Sequence, residues 1–130
     1  MKVESILKSK GNRVVTMRPE ASIATVVHRL KIERIGAVVI SSDGATVAGI
    51  LSERDVLHGL AEHGAEVLRM KADDLMTREV VTCAPGDGLR QIMGKMTSRR
   101  IRHLPVLEEG RLCGMISIGD VVKYRLDEAK

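Results

Sequence analysis

Apolar residues recur along this chain in two formats, and the same succession of formats occurs twice. Val14-Val15-Thr16 is followed by Ile23, Val26, Val27 and Leu30, then by two short apolar runs, Gly36 to Ile40 and Val47 to Leu51. Val80-Val81-Thr82 is followed by Leu89, Ile92, Met93 and Met96, then by His103 to Leu107 and Arg111 to Ile116. Apolar positions three and four apart make one face of a helix, and short unbroken apolar runs make strands covered on both faces. Each half therefore predicts an extended segment (Arg13 to Met17, or Glu79 to Cys83), a helix, two strands, and a second helix opening near Ser52 or Ser117. Pro19 and Pro85 lie ahead of the first helices, where proline does no harm. Turns at Ser42-Asp43-Gly44 and Glu108-Glu109-Gly110 join the paired strands.

The two halves keep register at 80 − 14 = 66 and 110 − 44 = 66, and slip to 120 − 55 = 65 after Gly44 and Gly110. Turns tolerate such a slip. The repeated unit is β-α-β-β-α, which places the chain in the α/β (α+β) class. One such unit is too small to bury its own sheet well. Two units packed sheet to sheet, with pseudo-twofold symmetry, are the expected architecture. The expected boundaries are 1–64 for the first repeat with its lead-in and 65–130 for the linker and second repeat. Ile6-Leu7-Lys8 echoes Leu75-Met76-Thr77, so each repeat is expected to carry a short helical lead-in.

Composition narrows the function. Tyr124 is the only aromatic residue among 130, so bases cannot be stacked on rings as single-strand nucleic-acid platforms require. The net charge of +4 favours anionic partners, but only Ser98-Arg99-Arg100-Ile101-Arg102-His103 concentrates it. Cys83 and Cys113 have neither metal spacing nor a disulfide framework and read as small buried hydrophobes. Met1 to Lys10 is charged where a signal peptide needs an apolar stretch, and no run is long enough for a membrane span. A soluble cytoplasmic protein is expected.

Gly49-Ile50-Leu51-Ser52-Glu53-Arg54-Asp55-Val56 recurs as Gly114-Met115-Ile116-Ser117-Ile118-Gly119-Asp120-Val121. Serine followed three positions later by an acid, at the mouth of a helix, is a capping box. Two details point past capping. The acid is the shorter Asp in both copies, and Gly119 sits where helices disfavour glycine and where something else could approach. A strand-to-helix junction aims free N–H groups at a ligand, and a fixed Asp can accept both cis-hydroxyls of a ribose. Capping and binding are compatible.

The twin Gly-h-h-Ser-x-x-Asp elements, with h apolar, and Arg102-His103-Leu104-Pro105-Val106 make the chain resemble the CBS domain over residues 5 to 126. Tandem pairs of this module regulate enzymes and channels. The resemblance implies adenine-nucleotide binding in two clefts between the repeats. Asp55 and Asp120 would hold ribose, with Ser52 and Ser117 beside them. Adenine would lie on Asn12 to Val14 with Ile35, Gly36 and Ala37, and on Arg78 to Val80 with Ile101, Arg102 and His103. Phosphate would meet Arg102 and His103, where the first copy has uncharged Gly36 and Ala37. Arg54, Arg34 and Lys31 are supplementary anchors. The two sites are thus expected to be unequal. AMP, ADP, ATP and NAD all satisfy this chemistry, with S-adenosylmethionine ranked behind them. The resemblance further implies a flat head-to-head or head-to-tail homodimer, with the helices after Ser52 and Ser117 among its packing faces, and a separate regulated protein partner.

Other chemistries find less support. His28, His58, His63 and His103 lack ligand spacing, so no metal is expected. No serine, histidine and acid fall in a catalytic arrangement, so no enzyme is expected. The alternative of another class is nucleic-acid binding through Arg99, Arg100 and Arg102, which predicts steep salt dependence.

Overall fold

The computed structural model describes residues 1–128. Its elements are α1 (Val3–Lys10), β1 (Thr16–Met17), α2 (Ile23–Glu33), β2 (Ala37–Ile40), β3 (Gly49–Ser52) and α3 (Glu53–His63). A 3-10 segment (Gly64–Arg69) leads into α4 (Ala72–Leu75), α5 (Leu89–Arg99), β4 (His103–Glu108), β5 (Arg111–Ser117) and α6 (Ile118–Glu128). They form two compact units: Val15–Val80, and Met1–Val14 together with the chain from Val81 onward.

In the Val15–Val80 unit, β1 pairs in parallel with β2, and β2 pairs antiparallel with β3. The parallel step crosses over through α2, as parallel neighbours require. Val38, Val39 and Ile40 are fully buried, as an unbroken apolar run predicts. On α2 the buried stripe is Ile23, Val26 and Leu30. Val27, expected on that stripe, is 37% exposed, because three residues at spacings of three and four already fill the face against the sheet. Ser22 caps α2 by accepting from Thr25 N at 3.2 Å.

The other unit repeats this plan with one rung missing. β4 and β5 pair from His103↔Ser117 to Glu108↔Arg111. The expected strand Glu79 to Cys83 is reduced to a single bridge, Cys83↔Val106. Proline explains the loss. In the first unit Val39 N donates to Val15 O and Ser41 N to Met17 O. Of the two equivalents, Leu107 N still donates to Cys83 O at 2.8 Å, but Pro105 has no N–H to give.

Each lead-in helix packs into one of the two cores. Helix α1 precedes the first repeat but buries Val3 and Ile6 in the core of the second, beside Leu104, Ile116 and Val121. Helix α4 buries Ala72 in the core of the first, beside Ile23 and Leu51. The docking bonds match: Val3 N donates to Asp87 O at 2.9 Å, and Ala72 N to Ala21 O at 2.7 Å. This packing explains the glycine that opens each Gly-h-h-Ser element. A Cβ on Gly49 would lie 2.5 Å from Met76 Sδ, and one on Gly114 would lie 2.7 Å from Leu7 Cδ2. The echo of Leu7 in Met76 is this contact made twice.

The copies differ where α3 and α6 meet their cores. A Cβ on Gly59 would press on Val67 and Leu75 at 2.8 Å. The equivalent position in the second copy is Tyr124, which is 5% exposed.

Candidate functional site

Both Ser-x-x-Asp elements form reciprocal caps. Asp55 N donates to Ser52 Oγ at 3.3 Å, while Ser52 N and Oγ donate to Asp55 Oδ2 at 2.9 and 3.1 Å. Asp120 N donates to Ser117 Oγ at 3.2 Å, while Ser117 N and Oγ donate to Asp120 Oδ2 at 2.8 and 3.0 Å. The shorter acid closes the box in both copies. The caps hold each carboxylate in one orientation at a strand-to-helix junction, and each such cap contributes about 1 kcal/mol.

The remaining contacts of the two aspartates differ. Thr77 Oγ1 donates to Asp55 Oδ1 at 3.1 Å, and Thr77 N donates to Ile50 O at 2.9 Å. In the second copy, Lys10 Nζ donates to Asp120 Oδ2 at 2.6 Å and to Met115 O at 2.9 Å. Met115 is the repeat equivalent of Ile50 (115 − 50 = 65). One residue following or ending each lead-in therefore bridges the same two acceptors, a strand carbonyl and the helix aspartate. It is a neutral threonine in one copy and an ammonium in the other. Neither residue was among those expected from the sequence. The echoed lead-ins were the available signal, but their side-chain partners lie far along the chain.

The other expected residues fall as follows. Ile35, Gly36, Ala37, Ser52, Arg54, Asp55, Arg78 and Val80 belong to the Val15–Val80 unit; Val14, Ile101, Arg102, His103, Ser117 and Asp120 belong to the other. Within the first, Ala37 pairs with Ser52, and Glu53 N donates to Gly36 O at 3.0 Å. Within the second, His103 pairs with Ser117, and Ile118 N donates to Arg102 O at 2.8 Å. The residues expected at phosphate and those expected at ribose thus stand side by side along the strand pair, as Arg102 and His103 in one unit and as uncharged Gly36 and Ala37 in the other. Arg102 is exposed and His103 half-buried. The Arg78 guanidinium is held by Asp73, through Oδ1 at 3.0 Å and the carbonyl at 2.8 Å. Gly119 meets no close neighbour: a Cβ there would find only Ser117 Oγ, at 3.6 Å.

Burial pushes the Cys83 thiol up to about 12, and Cys113 is raised by burial and by the Glu108 charge. Among the described residues no group of His, Cys, Asp and Glu is placed to hold a metal, and no helix is long and apolar enough to cross a membrane.

An antiparallel strand pair running into a helix through a capped serine-aspartate junction, built twice, marks a tandem α/β module. The CBS domain model matches residues 3–62 and 72–127, and the chain belongs to that family as a CBS pair. It is similar to a CBS-domain containing protein from Agrobacterium tumefaciens of known crystal structure. That match has 43% identity and a TM-score of 0.93, covering 96% of this chain and 99% of that one. It is 32% identical to a mitochondrial CBS domain-containing protein of Arabidopsis thaliana over 97% of its length, and spans 65% of that relative. It spans 42% of a relative from Methanocaldococcus jannaschii. A CBS domain pair crystallised with 5′-methylthioadenosine and S-adenosyl-L-methionine shares the fold at 21% identity and a TM-score of 0.87.

Proposed function

We propose that this CBS pair is a regulatory module that binds an adenosine-containing ligand and signals through a change of conformation or assembly. One observation carries the reading: two aspartates, each fixed by a reciprocal cap at the mouth of a helix, with the start of the neighbouring strand one rung away. An immobilised carboxylate presents an acceptor to ribose hydroxyls without further ordering cost. Asp55 and Asp120 are the ribose acceptors, with Ser52 and Ser117 beside them. Arg102 and His103 meet the phosphates, with Arg54 in support. The backbone at Val14, Ile35 to Ala37, Arg78, Val80 and Ile101 takes the adenine. A protein of the same fold binds two adenosine derivatives, which supports the ligand class. AMP, ADP, ATP and NAD remain the ligands of choice, since their phosphates suit a basic protein.

The same reading holds that the module works in the cytoplasm as a homodimer, without a catalytic step or a metal, and passes its signal to a protein partner. Leu57 on α3 and Val122 on α6 are repeat equivalents and are 62% and 54% exposed. Leu60 and Leu126 extend these two apolar faces. A second copy covering them accounts for apolar side chains left in water at both repeats.

The test is thermal unfolding with AMP, ADP, ATP, NAD and S-adenosylmethionine, each against a DNA and an RNA oligonucleotide. A specific ligand at ~100 times its Kd adds about 2.7 kcal/mol. A shift with an adenosine ligand that survives added salt supports the reading. Binding only to the oligonucleotides, lost steeply with salt, would replace it with the Arg99–Arg102 alternative.

A further inference from the structure

We infer that two copies of this chain pair head to tail, with α3 of one protomer lying antiparallel on α6 of the other. The pairing rests on the homodimer of the proposed function and gives it an arrangement. Each of these helices has an exposed face at repeat-equivalent positions one turn apart. On α3 it is Glu53, Leu57 and Leu60; on α6 it is Ile118, Val122 and Arg125. All six are exposed, and Leu57 and Val122 stand at the middle of each face. The two faces carry their charge at opposite ends. α3 opens on an acid and continues apolar, whereas α6 opens apolar and ends on a base.

Only one way of laying these faces together satisfies every position. Antiparallel α3 on α6, centred on Leu57 and the partner's Val122, sets Glu53 against the partner's Arg125 and Leu60 against the partner's Ile118. The start of one helix then also meets the end of the other, where their dipoles attract. Antiparallel α3 on α3 sets Glu53 against the partner's Leu60, and antiparallel α6 on α6 sets Arg125 against the partner's Ile118. Each covers a charge with an apolar side chain, which costs unless the charge is paired. Parallel pairing of like helices brings acid to acid or base to base, and such contacts select against a wrong partner. Parallel α3 on α6 leaves both charges facing apolar residues. A twofold that lays α3 on the partner's α6 also lays α6 on the partner's α3, so each contact is made twice. α3 begins at the Asp55 cap and α6 at the Asp120 cap. Each helix pair therefore joins helices that start at different caps on different protomers.

Cross-linking of the full chain reads the arrangement. Leu57→Cys and Val122→Cys are oxidised with diamide, each alone and the two co-expressed, with the wild type as the baseline for Cys83 and Cys113. A disulfide needs Cα atoms within about 7 Å, so it reports residues that face each other. A linked dimer above the baseline is expected only from the co-expressed pair. A linked dimer from either variant alone, or none from the pair, overturns the head-to-tail pairing and leaves the homodimer standing. A wild type that sediments as a monomer overturns both. Charge reversal gives a second reading that needs no disulfide. Glu53→Arg and Arg125→Glu should each weaken dimerisation about tenfold at low salt, because each creates two like-charge contacts per dimer. Combining them in one chain should restore the wild-type affinity. A combined loss equal to the sum of the two overturns the pairing.

Discussion

Lys10 and Asp120 stand 110 positions apart in sequence and 2.6 Å apart in space. The pair ties the last turn of α1 to the first turn of α6, within one unit built from both ends of the chain. A double-mutant cycle on Lys10→Ala and Asp120→Asn, read by urea unfolding, should give a coupling of about 1 kcal/mol. Asp120→Ala should cost about 1 kcal/mol more than Asp120→Asn, because alanine also removes the acceptor of the helix cap. Asp55→Ala should show the same cap loss.

The glycines of the repeated motif separate packing from capping. Gly49→Ala and Gly114→Ala press a methyl into Met76 and Leu7, and each should destabilise by about 1–3 kcal/mol. Gly119→Ala meets only Ser117 Oγ at 3.6 Å and should stabilise, by up to about 1 kcal/mol. Chemical denaturation of the three variants reads both signs.

Two titrating groups give opposite pH signatures. Asp43 accepts from Ala45 N, Thr46 N, Thr46 Oγ1 and Ser41 Oγ, and these bonds hold its carboxyl well below the usual carboxylate range. A lowered folded value stabilises above the unfolded value, about pH 4, and the contribution is lost as pH falls further. The stability difference between wild type and Asp43→Ala should be constant at neutral pH and shrink in acid. Cys83 behaves conversely. Its folded value of about 12 lies above the unfolded one, so its contribution is present below about pH 8.5 and is lost as pH rises towards 12. Alkylation at pH 8 should spare Cys83 until the protein unfolds.

Self-association should depend on the exposed faces of α3 and α6. Leu57→Glu and Val122→Glu place charges at repeat-equivalent, exposed positions and should shift the sedimenting species from dimer to monomer without loss of helix content. A wild type that sediments as a monomer at all concentrations contradicts the dimer.

Much of this architecture was legible in the sequence because it depends on local pattern. Apolar runs gave β2 and β4, helical spacing gave α2 and α5, and the serine-aspartate spacing marked where α3 and α6 begin. Three features were not legible, for separate reasons. Periodicity says which face of α1 is buried but not against what, so its packing with Leu104 and Ile116 could not be read. The missing rung at Pro105 depends on which strand lies beside it. The contacts of Thr77 and Lys10 require a residue outside each motif to reach it across the fold, at separations of 22 and 110 positions. Two unequal sites were expected from Gly36-Ala37 against Arg102-His103; the partners of the two aspartates, Thr77 and Lys10, differ as well.

On the proposed function, the two capped aspartates together recognise ribose. Isothermal titration of AMP into wild type, Asp55→Asn, Asp120→Asn and the double variant tests it most directly, since asparagine keeps an oxygen for each cap. The expected result is binding by the wild type, partial loss in each single variant and none in the double. AMP binding of unchanged affinity and stoichiometry in the double variant would contradict it.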